Sequence, residues 1–206
     1  MRITTPLDDV FASRGHVRIL RTLDELPAGL PGSAREIARR AGLAHNRASE
    51  ILASLAEQGL ADVERVGRSD LYQLNREHSL FPPLHTLFAE ERAVQRELER
   101  FLRRRLRALV AGVEEAYLFG SVARRESRVG SDIDLAVVVP RARLAAADVA
   151  LVHLASEVRN HFGSELNVHL STTPLAKRVK GTTGRALWMR IQHEGVQLLP
   201  GRPAHA

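Results

Sequence analysis

Apolar residues change their spacing several times along the 206 residues. Val17, Ile19, Leu20, Leu23 and Leu26 recur at helical intervals, and the segment runs into Pro27-Ala-Gly-Leu-Pro-Gly, a cluster that breaks regular structure. Ser33 with Glu36 then makes an S-x-x-E capping box for a short helix carrying Ile37 and Ala38, and Gly42 ends it. From about Asn46 a further helix sets Ala48, Ile51, Leu52 and Leu55 on one side and stops at Gly59. Alternation follows, with Ala61 to Val66 and Leu71 to Leu74 around Gly67-Arg-Ser-Asp, and predicts a hairpin. After Phe81-Pro82-Pro83 the spacing is helical again. Leu84, Leu87, Glu91, Val94, Leu98, Phe101 and Arg105 fall at alternating steps of three and four, with Phe88, Leu102, Leu106 and Leu109 beside them. No Gly or Pro occurs from Leu84 to Val110. One long helix is expected there, joining two modules and offering a seam, interrupted by Glu91 and Arg105, that could pair subunits into a homodimer.

The last stretch mixes both periods. Glu115-Ala-Tyr-Leu-Phe reads as a strand, Gly120-Ser121 as a turn, Val122 to Glu126 as a helical turn, and Asp132 to Val139 as a second strand bounded by Pro140. A helix from about Ala146 to Phe162 leads to Glu165-Leu-Asn-Val-His-Leu, whose two-residue period puts Glu165, Asn167 and His169 on one face. Two short helices and a final strand, Val196-Gln-Leu-Leu, complete the pattern, with Trp188 and Ile191 assigned to the core. The expected fold is a multi-domain α/β chain. Residues 1–78 form a helix-rich module with a hairpin, 79–110 a linker helix, 111–200 a mixed α/β sheet domain and 201–206 a tail.

Composition narrows the classes. A 44% hydrophobic content can bury a core, and 26% charged residues with 14 Gly and 9 Pro exclude collagen-like and wholly disordered chains. Without cysteine there is no disulfide framework, no thiolate metal site and no cysteine nucleophile. MRITTPLDDV carries acids where a signal peptide needs an apolar core, and no apolar run approaches the ~18 residues of a membrane span. A soluble, cytoplasmic protein without a membrane partner is expected. The net charge of +6 invites a nucleic-acid reading, but residues 1–78 hold 11 Arg against 11 acidic residues, so the excess lies further on. Arg96, Arg100, Arg103, Arg104 and Arg107 concentrate part of it on the long helix, as a solvated face or as a platform for phosphates. Lys177, Arg178 and Lys180, before Gly181, admit the same two readings.

The most specific signal is G-S-x10-D-x-D, from Gly120-Ser121 to Asp132 and Asp134, placed on strand, turn, helix and strand. Residues two apart on a strand share a face, so the two carboxylates stand side by side. They repel unless a cation lies between them, and hard oxygen ligands select Mg2+ or Mn2+. Gly120 allows close approach of the backbone to a ligand, and Ser121 offers a hydroxyl and N–H groups to an anion. Phosphate on one side and metal carboxylates on the other describe a site for a metal-bound nucleoside triphosphate and for phosphoryl-type transfer.

FGSVARRESRVGSDIDLAVVV closely resembles the polymerase-β-like nucleotidyltransferase superfamily, its minimal members especially, over about residues 110–200. The resemblance implies that Gly120 and Ser121 hold the triphosphate, with Arg124 steadying the motif or touching phosphate. Asp132 and Asp134 would bind Mg2+, and a nucleoside monophosphate would pass to an acceptor hydroxyl on a protein, small molecule or nucleic-acid end. Arg125 stands where such proteins often have glycine. It also implies a third carboxylate on a later strand, and here Asn167 occupies that register, with Glu165 one repeat away and His169 as a candidate base. SAREIARRAGLAHNRASEILASLAEQGLADVERVGRSDLYQL is similar to winged-helix regulators of the multiple-resistance and arsenic-repressor type over roughly residues 10–78. By that resemblance His45, Asn46, Arg47 and Ser49 would meet DNA, with Arg65 and Arg68 on the wing. Two functions are therefore expected to compete. One is a Mg2+-dependent nucleotidyltransferase, including the antitoxin kind that modifies a partner protein. The other is a DNA-binding regulator whose second domain senses nucleotide or dimerises.

Overall fold

The computed structural model describes residues 4–128, 130–180 and 185–200. The chain divides between Arg92 and Ala93 into two compact units, each with its own core.

The N-terminal unit contains helices α1 (Pro6–Val10) and α2 (Arg14–Glu25), strand β1 (Gly32–Ser33), helices α3 (Ala34–Ala41) and α4 (His45–Glu57), the hairpin β2 (Ala61–Val66) and β3 (Ser69–Leu74), and the first part of helix α5 (Phe81–Leu109). The three strands form an antiparallel sheet in the order β1-β3-β2. Ser33 Oγ accepts from the Glu36 backbone N–H at 3.3 Å, which starts α3. Only half of the expected capping box forms, because the Glu36 carboxylate turns instead to Arg40, 2.6 Å away. Gly42 closes α3 at φ +64, a conformation that costs other residues energy, and so sets the turn into α4. Ile19, Leu20 and Leu23 of α2, Ile37 of α3 and Ile51, Leu52 and Leu55 of α4 fill the core, and Leu84 and Phe88 of α5 join it. Each fully buried Leu or Ile contributes about 1.5–3 kcal/mol. The fully buried carboxylate of Asp24 accepts from His85 Nδ1 at 2.7 Å and Arg92 Nη1 at 2.9 Å, which fastens this part of α5 to α2. Helix α5 starts earlier than the spacing predicts. Pro82 and Pro83 fall in its first turn, where a missing N–H costs no helical bond. The predicted seam is not continuous, since Leu87 and Val94 are 54% and 52% exposed.

The C-terminal unit adds β4 (Glu115–Phe119), α6 (Gly120–Ala123), β5 (Ile133–Val138), a 3-10 turn (Arg141–Arg143), α7 (Leu144–Phe162), β6 (Leu166–Ser171), α8 (Leu175–Lys180), α9 (Arg185–Glu194) and β7 (Val196–Leu199). Its sheet runs β6-β5-β4-β7, with β5 and β6 parallel and the other neighbours antiparallel. The α7 crossover makes the parallel pair possible. Leu118, Ile133, Leu135 and Val137 pack with Leu98, Leu102 and Leu106 of α5 and Leu151, Leu154 and Val158 of α7. On the opposite face Phe119 and Ala136 meet Leu175, Trp188 and Ile191, as expected for Trp188. The fold is thus multi-domain α/β, with a winged helix-turn-helix unit first and a mixed sheet after it. Among the described residues no helix is long and apolar enough to cross a membrane.

Helix α6 closes in a Schellman motif. The Glu126 N–H bonds Ser121 O at 2.8 Å and the Arg125 N–H bonds Val122 O at 3.1 Å. This motif needs a left-handed residue, and Arg125 supplies it at φ +60. Arg125→Gly is expected to stabilise the C-terminal unit by about 0.5–1 kcal/mol, because glycine adopts this conformation without steric cost. The check is the urea midpoint of that unit's transition.

Candidate functional site

Three chain segments end side by side at one edge of the second sheet. Strand β4 stops at Phe119 and turns at once into α6, while β5 and β6 begin there in parallel. Phe119 pairs with Asp134 across the antiparallel ladder and Asp134 with Asn167 across the parallel one, so the three stand in one row on one face. Gly120 follows with φ +77. A Cβ there would lie 2.1 Å from Asp134 Oδ2 and 3.1 Å from its Cγ. The Asp134 carboxylate therefore fills the space that only glycine leaves. Its other oxygen, Oδ1, accepts from Asn167 Nδ2 at 3.1 Å. An ionised carboxylate only accepts, so the amide must turn its NH2 toward it.

Asp132 lies one residue before β5, exposed, and among the described residues it has no hydrogen-bond or ion-pair partner. Ser121 sits half-buried in the first turn of α6, its hydroxyl equally unpartnered among the described residues. The N-cap residue of that helix, Phe119, has no side-chain acceptor to offer its first N–H groups. Gly120 and Asp134 are thus brought together, with Ser121 following Gly120 in sequence and Asp132 two residues before Asp134.

Other predicted residues are committed elsewhere. Arg124 bonds Glu126 at 2.9 Å and Glu194 of α9 at 2.6 Å, so it ties α6 to α9, and these acceptors hold its guanidinium still more firmly protonated. Nothing in the sequence pointed to Glu194. The Glu165 carboxylate, just before β6, pairs with Arg159 of α7 and not with the aspartates. His169 lies two residues beyond Asn167 on the same strand, its ring 5.4 Å from that of Phe119. Deeper on this face burial, aided by the charge of Glu115, pushes the Tyr117 phenol up to about 12, and it donates to Glu115 Oε2 at 3.3 Å. Arg178 is engaged with Ser171 Oγ at 3.3 Å and stacks over Trp188, whereas the Lys180 side chain and Gly181 lie outside the described residues. The 201–206 tail does too.

Among the described residues no three acidic or histidine groups converge as a metal cluster. Asp132 and Asp134, two residues apart, are both hard oxygen donors, and that donor chemistry suits Mg2+ or Mn2+.

In the N-terminal unit His45, Asn46 and Arg47 project from the first turn of α4 and Ser49 is half-buried. His45, Ser49 and Arg68 line one cleft between α4 and the hairpin. Arg47 pairs with Glu50 at 2.9 Å and Arg65 with Asp70 at 2.7 Å, so neither guanidinium is free.

Residues 105–180 match the family model of polymerase beta nucleotidyltransferases, and residues 16–65 that of the IclR helix-turn-helix domain. The chain joins a helix-turn-helix domain to a polymerase-β-like nucleotidyltransferase domain. The helix-turn-helix match is to the IclR type, where the sequence had suggested the multiple-resistance and arsenic-repressor types. No curated protein matches the sequence. Several solved chains are similar to it, among them two toxin–antitoxin structures. One is a toxin–antitoxin with AMP-PNP, 18% identical, with 50% of this chain and 74% of that chain covered and a TM-score of 0.34. The other is a mutant of the toxin–antitoxin MntA–HpeT, 19% identical over the same shares, with a TM-score of 0.36. Within the nucleotidyltransferase match lie Gly120, Ser121, Asp132, Asp134 and Asn167, while Glu194, the partner of Arg124, lies beyond it.

Proposed function

We propose that the chain is a Mg2+-dependent nucleotidyltransferase that passes a nucleoside monophosphate from a nucleoside triphosphate to an acceptor hydroxyl, with the helix-turn-helix domain engaging DNA. The observation that carries this reading is the fit of Gly120 to Asp134: the missing Cβ lets the Asp134 carboxylate sit directly against the start of α6, beside the backbone that leads into Ser121. Asp132 and Asp134 would hold the ion, which when bound neutralises triphosphate charge and makes the α-phosphorus more electrophilic. Gly120 and Ser121 offer N–H groups and a hydroxyl to the phosphates, and Asn167 steadies Asp134. The acceptor oxygen forms a bond to the α-phosphorus, the bond from that phosphorus to the bridging oxygen breaks, pyrophosphate leaves, and the hydroxyl proton passes to water.

The position of Asn167 favours a second reading, a DNA-binding regulator whose nucleotidyltransferase domain binds nucleotide without turning it over. An amide brings no charge and accepts no proton at neutral pH. With Glu165 held by Arg159, two carboxylates, Asp132 and Asp134, remain for the site among the described residues. Incubation of the full chain with α-labelled nucleoside triphosphates, Mg2+ and candidate acceptors separates the two. Transfer that disappears in Asp134→Ala supports the enzyme. Mg2+-dependent binding without transfer supports the regulator.

A further inference from the structure

Helix α5 carries a row of arginines on its outer side. Arg96, Arg100, Arg103, Arg104 and Arg107 fall within about 100° of one another around the helix and over about 17 Å of its length, while Leu98, Leu102 and Leu106 turn into the core. From Ala93 to Val110 six arginines stand against two glutamates. Arg100 and Arg103 take up those acids, each at 3.3 Å, so Arg96 and Arg107 have no ion-pair partner among the described residues. At its edge the row meets a cleft of about 450 Å3 between α5 and α7. There the exposed His161 ring stacks on the buried ring of Phe101, with centroids 5.3 Å and planes 10° apart, and the Arg104 guanidinium lies 5.7 Å from the same Phe101 ring centre. Neither ring nitrogen of His161 nor the amide of the exposed Asn160 beside it has a hydrogen-bond partner among the described residues. Glu157, the one carboxylate among the described lining residues, is already held by Arg105 at 2.6 Å.

Cations spaced along a helix suit a chain of phosphates. An aromatic stack that ends in an exposed ring suits the face of another planar ring, and the unpartnered amide beside it can both donate to and accept from that ring's edge. Nucleic acid carries both groups, and only unpaired bases offer their faces, since in a duplex each is covered by its neighbours. We infer that the α5–α7 face binds single-stranded nucleic acid. His161, backed by Phe101, stacks a base, Asn160 meets its edge, and Arg104 and Arg107 hold adjoining phosphates. The surface lies wholly in the second unit, on the side of the sheet opposite the one that carries Phe119 and Asp134, so it is separate from the helix-turn-helix and from the acid pair. It rests on neither the transferase nor the regulator reading. RNA and DNA strands share this chemistry, and the test separates them.

The test uses the full chain and short fluorescent oligonucleotides of one mixed sequence, offered as an RNA strand, a DNA strand and a DNA duplex over a range of KCl concentrations. His161→Ala is expected to weaken single-strand binding about five- to 100-fold, the loss of one stacked base, whereas His161→Phe keeps a ring and should stay within about threefold of the parent chain. Arg107→Gln is expected to reduce the slope of log K against log salt by about 0.7, one phosphate contact on a single strand. His161 and Arg107 are both exposed, and the Tm of each variant checks that the fold is kept. Affinity for the duplex, the ligand of the helix-turn-helix unit, should be the same in all three variants. Binding of either strand with these losses supports the surface, and the tighter strand names the source. Single-strand binding that falls in Arg107→Gln but not in His161→Ala would overturn the stacking platform and leave only a solvated charged row. No binding of either strand, or binding that none of the variants alters, would overturn the surface and leave the transferase and DNA-binding readings standing.

Discussion

Replacing Gly120 with alanine is expected to lower the affinity of the chain for a Mg2+-bound nucleoside triphosphate by about 30- to 100-fold, while both units stay folded. The added methyl would sit 2.1 Å from Asp134 Oδ2, where no atom can remain, so the carboxylate must swing out of its place beside Asn167. At φ +77 the backbone adds strain of its own, about 1–2 kcal/mol for a residue with a Cβ. Losing one correctly placed charged ligand costs a further ~2–3 kcal/mol of binding, which is the source of the expected factor. Titration calorimetry with Mg2+ present measures it. Unchanged affinity would show that the contact between Gly120 and Asp134 serves the fold alone. Gly163, at φ +68 with nothing near its Cβ position, is the control, and Gly163→Ala should leave nucleotide binding alone.

Asn167→Asp is the second large effect, and its direction depends on the metal. Without a divalent ion a carboxylate placed where Nδ2 now bonds Asp134 at 3.1 Å replaces a hydrogen bond by like-charge repulsion, and the C-terminal unit should lose about 1–3 kcal/mol. With Mn2+ or Mg2+ the same substitution supplies a third charged oxygen ligand. Ion affinity should then rise at least about tenfold, equivalent to ~1.4 kcal/mol, and the lost stability should return. If the chain transfers nucleotide weakly, this variant should transfer it faster. Denaturant midpoints measured with and without Mn2+ give the result. Destabilisation that Mn2+ does not relieve would mean that the row through Asp134 and Asn167 is not aimed at a cation.

Much of this arrangement was readable from the residues, because buried strands and helices leave a periodic trace. The ranges of β4, β5, β6 and α4 fall within about two residues of their predicted limits, whereas the pairing of Asn167 with Asp134 is a cross-strand register that the period of one strand cannot give. Glycine misled in one place: Gly120 was read as a turn, whereas its left-handed φ begins α6 directly. The two-residue strand β1 has no period to detect. Pairings between exposed charges were the least legible. Arg124 with Glu194 joins residues 70 apart, and Glu165 with Arg159 leaves the acid unavailable to the site. Such pairs contribute about 0–1 kcal/mol each and follow no spacing rule, so sequence alone cannot say which partner an arginine takes. The same holds for the cleft lined by His45, Ser49 and Arg68, which come from α4 and the β2–β3 hairpin.

Titration of the full chain with a nucleoside triphosphate, first with Mg2+, then with a chelator, then in Asp134→Asn, examines the acid pair most directly. Saturable binding in Mg2+ that is lost on chelation and lost in the variant is the predicted outcome. Binding that ignores both the metal and the substitution, or no binding at all, would contradict it.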